Sequence, residues 1–283
     1  MSKFSVVCIS AMSVCAAALG LASSHAADKT AIPDFSSNNA GWTSIGGDNE
    51  FTPPKSGIGP VKDDPAHPYV SNFRARRTGE QPNWRVADID NPNLKPWVVD
   101  ALRKANVDAL SGKAMFTREA RCWPTGVPAM LLNPGSIFFI QTPKQVVLIQ
   151  ESDHRVRHIY LNVPHSKNPA ASWYGESVGH YENGDTLVVD TVGQNDKTFV
   201  DSYRTPHTDK IHVVERFKIV NGGKGLEASF TVDDPGAFNQ PWSGIKPYQR
   251  ADGPLVEDAC AENNDSYFGY DVEPLPQAAK PDF

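Results

Sequence analysis

"VGHYENGDTLVVDTVG", residues 178–193, decides the fold class. It reads as a strand, a tight turn at Asn183-Gly184 and a second strand, because Asn-Gly accepts the positive φ angles that a two-residue hairpin turn demands. Side chains alternate faces along a strand, so Leu187, Val189 and Thr191 share one side and Val188, Asp190 and Val192 the other. Parity alone does not say which side faces in. We expect Thr191 inward, since an inward Asp190 would set a second carboxylate beside the one at Glu215 discussed below.

Outward from this hairpin, the same grammar of short apolar alternations and turns extends in both directions. Strands are expected over 137–142, 145–151, 155–161, 173–181, 185–192, 210–220, 225–233 and about 241–248, with links such as "TPK", "ENG" and "NGGKG". Links that short join antiparallel neighbours. Eight such strands most economically close on themselves, which removes exposed edges. The expected fold is therefore mainly β, an up-and-down eight-stranded antiparallel barrel of lipocalin type; a two-sheet β-sandwich is the alternative.

The rest of the chain falls into segments. Residues 1–26 have the order of a secretory signal: Lys3, an apolar run from about Phe4 to Ala22, then small residues before a cleavage point after Ala26. Residues 27–93 are rich in Pro, Gly, Asn and Asp with isolated Trp42, Tyr69, Phe73 and Trp84, and read as an irregular arm that packs on the barrel. A helix and linker occupy 94–120. Asn91 or Asn93 is the expected cap, Pro96 sits in the first turn, and Trp97, Ala101, Ala105 and Ala109 form one face with Val98 and Leu102 beside it. The barrel spans 121–265, and 266–283 form a tail.

Composition restricts the function. Without the signal the chain carries 26 basic and 33 acidic residues, a net charge of −7, with no basic block. That excludes nucleic acid as the expected partner. After the signal no apolar run approaches the ~20 residues of a membrane helix, so a periplasmic or secreted protein is expected. Cys8 and Cys15 leave with the signal, and Cys122 and Cys260 are expected to pair in an oxidising compartment, closing a loop of well over a hundred residues.

Chemistry is sought first where a strand breaks its own pattern. In "KIHVVERFKIV" the apolar set is Ile211, Val213, Phe217 and Ile219, and parity places Glu215 among them. A carboxylate on an apolar face is ion-paired, hydrogen-bonded or kept protonated. One reading is a structural ion pair with Arg121 or Arg157. The other is a general acid or base in an apolar cavity. His165 and His207 lie in the two long links and would share one end of an up-and-down barrel, so they are the expected proton-handling residues at its mouth. Tyr160, Trp173 and Tyr174 would line or close the cavity, and Ser177, Thr191 and Arg157 would face it. The close histidine pairs His154/His158 and His207/His212 match no metal-ligand spacing, so no metal is expected. Ser177 in "GESVG" satisfies the letters of a nucleophile elbow, yet it runs into another strand instead of a helix. No dinucleotide or phosphate-loop fingerprint occurs, and no cofactor is expected.

The combination "CWPTGVP" (122–128), "IQTP" (140–143), "GDTLVVDT" (184–191), "HVVERF" (212–217), "DDPGAF" (233–238), "QPW" (240–242) and "CAENN" (260–264) resembles a family of exported bacterial proteins without an assigned activity. Members commonly carry Gly-Arg-Trp-Glu before Gly-Asp-Thr-Leu, where this chain has Gly179-His180-Tyr181-Glu182-Asn183. They also carry Asp-Gly-Arg before the first long-link histidine, where this chain has Leu161-Asn162-Val163. The resemblance implies export and a ligand particular to this chain, and no catalytic residue.

Three classes of function follow. The first is a cofactor-independent lyase or isomerase acting on a small apolar or aromatic molecule, with Glu215 as acid or base and His165 and His207 at the rim. The second is a periplasmic, lipocalin-like carrier with the same cavity and no turnover. The third is an exported structural protein with a solid barrel. An open interior favours the first two and a filled interior the third. Substrate, reaction direction and oligomeric state are not encoded legibly.

Overall fold

The computed structural model describes residues 32–36, 40–45, 50–112 and 122–260. The expected signal at 1–26, the linker at 113–121 with Arg121, and the expected tail at 266–283 lie outside the described residues. Nine strands close a single barrel in sequence order: β1 (Trp42–Ser44), β2 (Ser136–Gln141), β3 (Gln145–Gln150), β4 (Arg155–Leu161), β5 (Glu176–Glu182), β6 (Thr186–Val192), β7 (His212–Val220), β8 (Gly225–Asp233) and β9 (Trp242–Arg250). The barrel class is as expected, and eight of its strands match the alternation read from the sequence.

Two features differ from the expected meander. The ninth strand, β1, comes from the supposedly irregular arm and closes the barrel between β2 and β9. It is only three residues long, too short to show a period, yet Trp42 is fully buried, its indole N–H donates to Phe35 O at 2.8 Å, and Arg250 stacks over its ring. Second, β4 and β5 run parallel, and the direct pairing covers only Ile159↔Ser177, Tyr160↔Val178 and Leu161↔Gly179. A parallel neighbour needs a connection long enough to return along the wall, and residues 162–175 supply it.

The arm also holds a short helix, α1 (Asn72–Thr78), capped by the Ser71 side chain. Tyr69 lies under the Arg85 guanidinium, whereas Trp84 stays 40 % exposed. The longer helix α2 (Pro96–Leu110) begins at Pro96 as anticipated, but Lys95, not an asparagine, is its N-cap. Its buried stripe is Val98, Leu102, Asn106 and Ala109, rotated from the expected Trp97 face. The rotation follows from Asn106, whose side chain bonds the backbone N–H and C=O of Ala87 at 2.8 Å each.

Inward side chains fill the barrel. Leu148, Ile159, Leu187, Val189, Val213, Phe217, Ala228 and Val232 are all fully or almost fully buried. One end is stoppered by the helical turn Ala129–Leu132, whose Leu131 carbonyl accepts the Tyr248 hydroxyl at 2.7 Å. The other end is closed by Phe35 against Phe139, with ring centroids 5.3 Å apart. The stopper is fixed laterally by Gln194, whose side-chain amide makes a matched pair with the N–H and C=O of Val127 at 2.7 and 3.0 Å.

Cys122 and Cys260 form a disulfide across 138 positions, joining the start of the stopper segment to the chain that leaves β9. Replacing both cysteines by serine is expected to lower stability by about 2–5 kcal/mol. Urea unfolding of the double variant measures this, and an unchanged midpoint would mean the bridge is not formed in the folded protein.

Candidate functional site

The centre of the barrel is an ion pair. Arg157 enters from β4 and Glu215 from β7, and both are at most 2 % exposed. Nη1 donates to Glu215 Oε1 at 3.0 Å and Nη2 to Glu215 Oε2 at 2.5 Å. The remaining donors are also engaged: Nε with Ser177 Oγ at 3.1 Å, Nη2 with Thr191 Oγ1 at 2.8 Å, and Nη1 with Met130 Sδ at 3.6 Å. Each of the five guanidinium N–H groups thus has an acceptor. Thr191 is inward and Asp190 outward, which keeps a second carboxylate out of this interior. Burial, with the Glu215 charge adding to it, pushes the Tyr248 phenol well above its ordinary value, so it remains a donor to Leu131. Both Glu215 oxygens face the guanidinium, in the arrangement of the ion-pair reading with Arg157.

The two histidines do not join Glu215 at a common open mouth. Because β4 and β5 are parallel, the link bearing His165 runs over the outside of the wall. There His165 Nδ1 meets Glu176 Oε1 at 2.9 Å and Nε2 meets Asp190 Oδ1 at 3.1 Å; the same Asp190 oxygen accepts from His212 Nε2 at 2.8 Å. The Glu176 carboxyl is held below the usual carboxylate range by the Ser166 hydroxyl foremost, then by the Ser166 backbone N–H and His165. His165 is therefore a pin that holds the crossover to β5 and β6. His207 is buried inside the β6–β7 link, with Nδ1 on Thr208 O at 2.9 Å and Nε2 on the Thr198 hydroxyl at 2.6 Å.

The described residues instead offer a slot in the wall. Below Ile159, β4 loses its hydrogen-bonded neighbour while the chain approaching β5 bends away through Ser172–Gly175, which leaves a gap of about 460 Å³. Gly175 makes the bend with φ +65°, and a Cβ there would lie 2.3 Å from the Val192 carbonyl, so glycine is required. The slot is lined by Pro124, Arg155, His158, Tyr160, Trp173, Tyr174 and Glu176, with Arg157 and Ser177 at its inner side. Tyr160 is 49 % exposed and its ring stacks near that of His158, while Trp173 packs against Trp123 at 5.5 Å between centroids.

Five of the expected substrate-facing residues, Tyr160, Trp173, Tyr174, Ser177 and Arg157, therefore meet in one place; Thr191 stands behind Arg157. Glu215, His165 and His207 line none of it. Sequence reasoning missed Arg155, His158 and Pro124. The signal for Arg155 was present: in "RVRHIYL" it shares the inward parity of Arg157, and two arginines on an inward face are as irregular as one glutamate. Among the described residues, no group of three or more His, Cys, Asp or Glu is placed to hold a metal ion, and no helix is long and apolar enough to cross a membrane. No protein-family model, curated protein or solved structure matches the chain.

Glu215→Leu strands the Arg157 charge in the interior and is expected to cost about 3–5 kcal/mol, whereas Arg157→Met combined with Glu215→Leu should regain most of that loss. Denaturant unfolding of the two single variants and the double variant reads the coupling. Additive losses would show that the residues do not act as a pair.

Proposed function

We propose that this chain is an exported barrel that binds a small aromatic molecule in the β4–β5 slot, as a carrier without turnover through Glu215. By the criterion above, the filled interior favours an exported structural protein, which is the second reading; what supports binding is the convergence of Tyr160, Trp173 and Tyr174 around a gap of about 460 Å³ in the wall, outside that interior. That volume is within the range of small-ligand pockets, which pair apolar and aromatic walls with a few polar groups. Export is favoured by the amino-terminal sequence pattern and by the Cys122–Cys260 bridge, which persists in oxidising surroundings. A lyase or isomerase acting through Glu215 has less support, because its two oxygens are engaged by Arg157.

Titrating the purified protein with phenol, benzyl alcohol, acetophenone and benzoate, followed by tryptophan emission and calorimetry, tests the reading. At least one probe should bind saturably, and Tyr160→Ala and Trp173→Ala, folded by circular dichroism, should each weaken it by roughly tenfold, the scale of losing one ring's buried area. No saturable binding, or binding indifferent to both substitutions, would reject the slot as the site.

A further inference from the structure

Beneath the slot lie polar groups whose hydrogen-bonding capacity is not used. Arg155 is 8 % exposed and faces inward at the start of β4. Its Nη2 contacts Asp153 Oδ2, but Nε and Nη1 have no hydrogen-bond partner among the described residues. Beside it the Tyr174 hydroxyl is enclosed, lies near the Thr125 side chain, and forms no well-aligned hydrogen bond. Burial raises the Tyr174 phenol above its ordinary value, against the opposing pull of Arg155, so the group is an O–H donor at neutral pH. An enclosed donor without an acceptor is penalised. The free Nε and Nη1 of Arg155, with the Tyr174 hydroxyl beside them, converge on one slot lined by aromatic rings and call for an acceptor oxygen brought by something else.

Charge decides which kind of oxygen. The cations here are Arg155 and Arg157, and they already face Asp153 and Glu215; Glu176 adds a further negative charge to the rim. A carboxylate ligand would enter a site in which anions outnumber cations, and it would compete with Asp153 for the same guanidinium. A neutral acceptor takes the free Arg155 edge without that cost.

We infer that the slot takes an uncharged aromatic compound bearing a carbonyl oxygen, and that Arg155 and Tyr174 hold this oxygen by hydrogen bonds. The inference rests on the slot being the binding site. Arg155 and Tyr174 both line the slot, and the side-chain adjustments that turn a covered donor toward a ligand are common on binding. The ring then lies among Tyr160, Trp173 and His158.

Three probes of similar size separate the terms: acetophenone, ethylbenzene, which lacks the oxygen, and benzoate, which is charged. Calorimetry or ligand-observed NMR on the purified protein should show acetophenone binding at least about tenfold more tightly than either of the others, the scale of a hydrogen bond from a charged donor. Arg155→Met should bring acetophenone down to the level of ethylbenzene while leaving ethylbenzene unchanged. Should that variant fail to fold, Tyr174→Phe should still reduce the preference for acetophenone over ethylbenzene by several-fold. Ethylbenzene binding as well as acetophenone, benzoate binding best, or a preference that survives in the folded variant, would overturn the inference and leave the slot as an aromatic site. Failure of all three probes would remove the slot reading itself, and this inference with it.

Discussion

The structure is organised around one requirement: two opposite charges, at Arg157 on β4 and Glu215 on β7, are held buried in the middle of a barrel. Removing a carboxylate or a guanidinium from water costs several kcal/mol per ion even after relaxation. Their attraction repays this only when geometry and satisfaction are both good. Here the pair is bidentate, and the donors that Glu215 leaves over are taken by Ser177, Thr191 and Met130. Five separate elements must therefore arrive in register: β4, β5, β6, β7 and the stopper. A one-residue slip of β6 would replace Thr191 by Asp190 and turn a matched interior into one with excess negative charge. The pair is a constraint on register as much as a source of stability.

The same constraint explains why the wall opens where it does. Arg157 must reach across to Glu215, and Ser177 must lie next to Arg157, yet β4 and β5 run parallel and pair over three residues only. The chain approaching β5 cannot follow β4 farther down, because Gly175 turns it toward Val192 and Gln194, where Ser172 forms a parallel bridge with Gln194. Gln194 is committed to Val127 and hence to the stopper. The slot is what remains between two strands, one anchored by the ion pair and the other by the stopper. His165, bonded to Glu176 and Asp190, ties the crossover to β5 and β6 beside that gap.

Legibility in the sequence followed the length and regularity of each signal. Eight strands were readable because period-two alternation and turn residues such as Asn183-Gly184 act locally. β1 was not readable: three residues show no period, and only tertiary contacts with β2 and β9 make them a strand. The parallel pairing was hidden for a related reason, since a long link can equally join antiparallel neighbours with a loop or parallel ones with a return. An antiparallel β4–β5 pairing would set His165 and His207 at one open mouth, whereas the parallel pairing carries His165 over the outer wall and the stopper fills the end near His207. Parity alone places Glu215 inside, and the same parity applied to β4 would have placed Arg155 and Arg157 there; what parity does not convey is which inward groups meet. Tyr160, Trp173 and Tyr174 read as aromatics near a strand end, and they line the slot, which opens through the wall instead of the barrel end.

Acid–base catalysis requires more than a buried carboxylate. The group must come within hydrogen-bond reach of the proton that it moves, directly or through one water. Glu215 sits behind Arg157 as seen from the slot, with the guanidinium across both its oxygens, so a molecule in the slot meets the cation and not the base. To act, Glu215 would have to leave Arg157, uncovering an unpaired charge on each side of the broken contact at a cost of several kcal/mol. That cost would add directly to the barrier, and each 1.4 kcal/mol is roughly a tenfold loss of rate. An interior built this way leaves neither oxygen of Glu215 free of Arg157, which is why the proposed function assigns Glu215 no proton transfer.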